Sequence, residues 1–236
     1  MAQNKVVIYT AISGDYEDLH RPLAWAPNVD HVAFVDDPWA GIPWQTDKFE
    51  DLSLDQIRRA REVKIRPHRY FPDHDISVWV DGNVVIREDL TEWIELALKT
   101  NPLALHRHPE NRKSIFEEAM CCVGWMKDDA DLLHAQATSY FMDGYKQDRL
   151  MIDTSIIVRR HNHPKVIETM DRWWAELERW SNRDQVSFQY AAWKTGLDYT
   201  VINDNRRNCE WFLTDNGHHA PDPKVLAARR RLREPI

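Results

Sequence analysis

The stretch Ile76-Ser-Val-Trp-Val-Asp-Gly-Asn-Val-Val-Ile86 constrains the chain most. Five residues of strand-forming character run into Asp81, Gly82 frees the backbone, Asn83 adds a second oxygen donor, and three apolar β-formers follow. In an open α/β sheet, ligands bind beyond the carboxyl ends of the strands. An Asp placed there, with another oxygen donor two residues on, can hold a divalent cation against a diphosphate, since Mg²⁺ binds through one or two carboxylates plus substrate phosphates. Asp-Gly between apolar runs is equally a signal for a tight β-hairpin turn. The stretch alone carries both readings.

The flanking sequence narrows them. Lys5 to Thr10 is a near-continuous apolar, β-branched run of the kind that forms a buried parallel strand. The loop from Ala11 to Asp18 follows at its carboxyl end, where small residues and Gly14 let a ligand approach the backbone and Tyr16 suits stacking on a base. His31 to Val35 is a second strand, ending in Asp36 and Asp37, acids suited to ribose hydroxyls or to a strand-ending turn with Pro38. Ser53 to Gln56 reads as a capping box opening a helix to about Lys64. Arg58, Arg61 and Lys64 recur every three residues on one drifting face, a basic clamp for a diphosphate or an exposed helix surface.

Further helices are expected over 89–100, from Ser114 through Cys121 and Cys122, and brokenly over 128–149. His106 and His108 share one face of a strand expected from Pro102. Asp153 to Arg159 is a strand leading into His161 and His163, and the apolar stripe from Val166 to Trp180 is a core-facing helix. Arg183, Asp184 and Gln185 stand at a polar helix entry, where Asp184 can cap the helix or meet an acceptor hydroxyl. Tyr199 to Ile202 is a last strand. The expected fold is therefore α/β, a single domain with a mostly parallel central sheet flanked by helices.

Composition sets bounds. A chain of 236 residues can bury one substantial core. A net charge of −7 argues against a general nucleic-acid coat, although Lys224, Arg229, Arg230, Arg231 and Arg233 form a basic C-terminal tail over 221–236. The three cysteines have no zinc or redox spacing, which fits a reducing compartment. No apolar run approaches membrane-spanning length and the N-terminus has no signal-peptide pattern, so a cytoplasmic location is expected. Most of the eleven Trp suit a core; Trp39 and Trp44, in a loop rich in Pro and Gly, suit sugar stacking.

Five segments together resemble a GT-A-like glycosyltransferase family of bacterial and plant mucilage- and turgor-related proteins. They are Tyr9–Tyr16, Ala60–Arg69, Val78–Asn83, Ile157–Asn162 and Arg183–Phe188. The resemblance implies a nucleotide-sugar-binding domain over 1–220. It implies that Asp81 matches the first acid of an Asp-X-Asp metal motif and that Asn83 stands where the second Asp usually lies. A later His often completes the metal shell in such enzymes, and His218 or His219 is the candidate third ligand here on position alone. The resemblance further implies Mn²⁺ or Mg²⁺ as cofactor, a UDP-sugar as the favoured donor, and a glycan or other hydroxyl acceptor. Thr10, Ala11, Tyr16, Asp36 and Asp37 would hold the nucleoside, with Arg58, Arg61 and Lys64 on the diphosphate. Asp184, flanked by Arg183 and Gln185, would deprotonate the acceptor or position the sugar, and His106, His108, Arg159 and His161 would line the pocket.

Two other classes stay open. The His pairs 106/108 and 161/163 would serve a metal-dependent hydrolase if they converge. The amide at Asn83 would suit a nucleotide- or sugar-binding module without turnover. The basic tail also leaves room for a DNA acceptor bearing modified bases.

Overall fold

The computed structural model describes residues 4–14, 17–39, 43–146 and 150–215. Tyr16, His218, His219, the 220/221 boundary and the basic tail lie outside the described residues. In chain order the elements are β1 (Val6–Ile12), β2 (Asp30–Val35), β3 (Gln45–Asp47), α1 (Gln56–Ile65), α2 (Pro67–Tyr70), β4 (Ile76–Val80), β5 (Val84–Ile86), α3 (Thr91–Ala97) and β6 (Leu103–Arg107). The second half adds α4 (Ile115–Gly124), α5 (Ala130–Met142), β7 (Ile152–Arg159), α6 (Pro164–Arg179), α7 (Asp184–Thr195), β8 (Thr200–Ile202) and β9 (Phe212–Thr214).

Seven strands form one sheet in the order β3-β2-β1-β4-β7-β6-β8. Neighbours pair in parallel except at β7, which runs antiparallel to both β4 and β6. The mostly parallel α/β sheet expected from the sequence is thus present, with one reversed strand in its middle. All five residues of β4 and all eight of β7 are buried, the mark of strands covered on both faces. One face packs Tyr9, Trp79 and Ile157 under α1, α6 and α7. The other packs Ile8, Val78 and Val80 under α3, β5 and β9. A third cluster joins α4 and α5 to α7 through Cys122, Leu133, Tyr140 and Val186.

The apolar stripe of α6 is core as read: Val166, Met170, Trp173 and Leu177 are fully buried. The start of α1 differs from expectation. Asp55 is its cap, accepting from Arg58 N at 2.9 Å, while Ser53 bonds Asp51. The Asp81–Val84 stretch does close a turn, with Val84 N donating to Asp81 O at 2.9 Å. It is not a hairpin, because β4 lies in the large sheet and β5 pairs with β9 in a separate two-stranded one. The turn therefore projects from the carboxyl edge of the parallel strands.

Candidate active site

Asp81 leaves β4 at that edge, on the same face as Trp79, whose Nε1 donates to Asp81 Oδ1 at 2.8 Å. Lys64, in the last turn of α1, reaches it from the covering helix layer. Its Nζ lies 3.0 Å from Asp81 Oδ1 and 2.7 Å from Asp184 Oδ2, and the side chain is 1 % exposed. Asp184 is the first residue of α7 and is held from three directions. Arg61 lies at 3.4 Å, Thr154 Oγ1 donates at 3.1 Å from the start of β7, and the Asp184 carbonyl accepts from Trp173 Nε1 at 2.9 Å. Burial alone would raise the Asp184 pKa, but Arg61, Lys64 and Arg183 outweigh it and hold the carboxyl well below the usual range.

The loop after β1 completes the edge. Asp36 accepts from Ser13 Oγ at 3.0 Å and from Gly14 N at 2.6 Å, with Arg59 at 3.8 Å, so its carboxylate shapes this loop. Glu17 then folds over the Asp81–Val84 turn. A Cβ at Gly82 would overlap Glu17 Oε2 and crowd Ile12 Cγ1 at 3.1 Å, so only glycine admits this approach. Burial first, and then the negative charge of Asp81, push the Glu17 carboxyl up to about 7. Sequence reading missed Glu17: it belongs to no motif, and its neighbour in space, Gly82, lies three strands further along the chain. The one signal was its place in the loop at a parallel strand's carboxyl end.

The structure brings Arg61, Lys64, Asp81 and Asp184 together, with Asn83 in the adjoining turn and Gln185 beside Thr154, whose N donates to Gln185 Oε1 at 3.4 Å. Ala11 is buried at the end of β1 with its side chain in the core. Thr10 points to the opposite sheet layer, by alternation with Ala11. Asp37 is exposed beyond β2. Arg183 turns to Cys122 and Glu118 of α4, with Asp184 also in range.

Five expected site residues are placed elsewhere. Arg58 bonds its own cap Asp55 and the Leu177 carbonyl of α6, because a three-residue spacing drifts around the helix. Arg159 ends β7, where it pairs with Ser77 and Leu103 at the starts of β4 and β6. Since β7 is reversed, this is the amino edge of the parallel strands. There the buried guanidinium donates to Tyr9 Oη and the Lys64 carbonyl. His161 follows it, fully buried, its Nε2 2.8 Å from the Phe71 carbonyl. His106 is fully buried in the other layer, stacked on Trp93 with Nδ1 2.7 Å from Asp204 Oδ1. His108 lies 3.7 Å from Glu118. The 106/108 and 161/163 pairs thus occupy opposite ends of the sheet, which removes the geometry the hydrolase reading needs. Trp44 is core, donating to the His20 carbonyl, while Trp39 is 51 % exposed.

The model of the TOD1/MUCI70, glycosyltransferase-like domain matches residues 33–212, from β2 through β9. The chain belongs to the TOD1/MUCI70 glycosyltransferase-like family. Two Arabidopsis thaliana proteins are similar to it. The alkaline ceramidase TOD1 is 30% identical over 155 residues, 61% of this chain and 33% of that protein. The probable hexosyltransferase MUCI70 is 28% identical over 202 residues, 79% of this chain and 34% of that protein. The chain spans about a third of the length of these relatives.

In this TOD1/MUCI70-family domain no group of three or more His, Cys, Asp or Glu side chains gathers to hold a metal ion among the described residues, and a cation at the turn would draw on the oxygen donors of Asp81 and its neighbours together with substrate phosphates. Both hydrogen bonds to the Asp81 carboxylate fall on Oδ1 among the described residues, which leaves Oδ2 for a ligand. Hard cations take such oxygens, and the side chain is 26 % exposed. Among the described residues, no helix is long and apolar enough to cross a membrane.

Proposed function

We propose that this domain transfers a glycosyl group from a nucleotide-sugar donor, UDP-linked by preference, to a hydroxyl of a glycan or related acceptor. The observation that carries the reading is the buried Lys64 ammonium bridging Asp81 and Asp184 at the carboxyl edge of a family-matched sheet. Charge develops on the leaving diphosphate as the glycosidic bond breaks, and cations fixed in place before reaction stabilise it without reorganisation. Arg61 and Lys64 are such cations. Asp184 holds both, so its role here is positioning: a carboxylate with this low proton affinity, 3 % exposed, is poorly matched to a general base. A divalent ion, Mn²⁺ or Mg²⁺, held by Asp81 and Asn83 would supply further positive charge to the diphosphate. Asp36 keeps the first loop in shape for the nucleoside.

The amide at Asn83 favours one second reading, a module that binds a nucleotide sugar without turnover. Thermal unfolding with UDP, GDP, ADP and CDP, each with and without Mn²⁺, separates the readings when paired with an assay for nucleotide release from the sugar donor. At a hundred times its dissociation constant a ligand adds about 2.7 kcal/mol, a shift of roughly 5–10 °C for a domain of this size. A shift with UDP that is lost in Asp81→Ala, accompanied by UDP release, is expected. Binding without release would leave the module; no shift with any nucleotide, in folded protein, would overturn both.

A further inference from the structure

We infer that Glu17 supplies the second carboxylate of the cation site, in place of the acid that position 83 lacks. The inference rests on the metal-assisted reading above and assigns it a residue that the family match, beginning at residue 33, does not reach.

The geometry is specific. The loop after β1 lays the Glu17 carboxylate directly on the backbone of the Asp81–Val84 turn, in the space that a side chain at position 82 would fill. The Asn83 backbone N–H donates to that carboxylate and holds it against the turn, and Asp81 is near enough for the two charges to repel. An Asp-X-Asp motif places both of its acids on one turn. Here the turn provides one and the preceding loop provides the other, so the site has two carboxylates although residue 83 is an amide. A hard divalent ion takes oxygen ligands, and the number of charged ones sets its affinity. Gly82 is what permits the arrangement, since any larger residue would drive Glu17 off the turn. Asn83 can then remain an amide because its backbone, rather than its side chain, positions the second acid.

The test is Mn²⁺ alone, titrated into the full chain and followed by the loss of the free-ion electron paramagnetic resonance signal at one fixed pH. Glu17→Gln should weaken binding by at least about 10- to 100-fold, the range that loss of a mere outer-shell partner already costs metal sites. Asn83→Asp, introduced into Glu17→Gln, should restore most of it by returning the second charge to the turn. Glu17→Asp, which keeps the charge on a shorter arm, should fall between wild type and Glu17→Gln and guards against a misfolded variant. Undiminished Mn²⁺ binding by Glu17→Gln, alongside its loss in Asp81→Asn, would overturn the role of Glu17 and leave the metal-assisted reading standing. A wild-type protein that binds no Mn²⁺, with or without UDP, would overturn both.

Discussion

Lys64 and Asp184 form a buried ion pair, Nζ to Oδ2 at 2.7 Å, that joins the last turn of α1 to the first residue of α7. Both side chains are nearly inaccessible, 1 % and 4 % exposed. The pair is the joint on which the candidate site turns, because Lys64 also touches Asp81.

Removing one partner of a buried pair strands the other charge, which costs about 3–5 kcal/mol. Lys64→Met should therefore destabilise the fold by about that much in urea unfolding. Arg61, at 3.4 Å, relieves Asp184 only in part. Combined with Asp184→Asn, the loss should be smaller than the sum of the two single losses, with a coupling of roughly 1–3 kcal/mol. Strict additivity would mean that the pair contributes nothing and that the two helices are joined by packing alone.

Glu17 gives a pH signature of opposite sign to an ordinary paired acid. Its folded pKa is raised from 4.5 to about 7, so the folded state binds the extra proton in that window. Stability then falls as pH rises from about 4.5 to 7 and stays low above it. Without metal, Glu17→Gln should abolish this contribution and stabilise the protein above pH 7 by roughly 1–3 kcal/mol, after allowance for its partial exposure. Denaturant midpoints measured across this range in a chelator check it; a parallel pair of curves would contradict the assignment.

How much of this was legible in the sequence depends on what periodicity encodes. The continuous apolar runs gave β1, β2, β4 and β7, and the stripe from Val166 to Leu177 gave α6, because burial on two faces or one is written directly in residue type. Strand direction is not. β7 is buried at all eight positions and reads identically in either sense, so Arg159 and His161 were expected at the ligand edge and stand at the other. The Asp-Gly stretch carried two readings, and both describe part of what forms: a tight turn, on which the acid faces the site. Arg58 drifted off the helix face that Arg61 and Lys64 share. Glu17 was invisible because its meaning lies in a contact with Gly82, and no local pattern records a contact of that range.

His161 should make the fold acid-sensitive. Burial, with smaller help from Arg159, His74 and His68, lowers its pKa from 6.5 to about 4, against the pull of the Phe71 carbonyl. The unfolded chain protonates this ring first, so stability is lost as pH falls from about 6.5 toward 4, by up to about 3 kcal/mol from this residue. His31, His68 and His108 are lowered too and add to the same slope. Imidazole titration by NMR in the folded state should find His161 neutral at pH 5.5; a midpoint near 6.5 would show that the ring is hydrated.

Two glycines should answer the same substitution with opposite signs. Gly124 closes α4 with nothing within 4 Å of an added Cβ, and its φ is not positive. Gly124→Ala should therefore stabilise the protein by about 0.4–1 kcal/mol, by restricting the unfolded chain. At Gly82 the same methyl meets Glu17 Oε2 and the Ile12 side chain. Gly82→Ala should cost about 1 kcal/mol, the low end of overpacking, because the first atom it meets is the far end of a flexible side chain and only Ile12 must give way. It should also displace Glu17 from the turn, lowering its pKa toward 4.5 as the carboxylate moves away from Asp81 and into water. Thermal melts of the two variants, with a pH series on Gly82→Ala, separate these effects. A Gly82→Ala protein as stable as wild type, with its pH dependence intact, would show that the loop can move aside without loss and that the close approach of Glu17 to the turn is incidental.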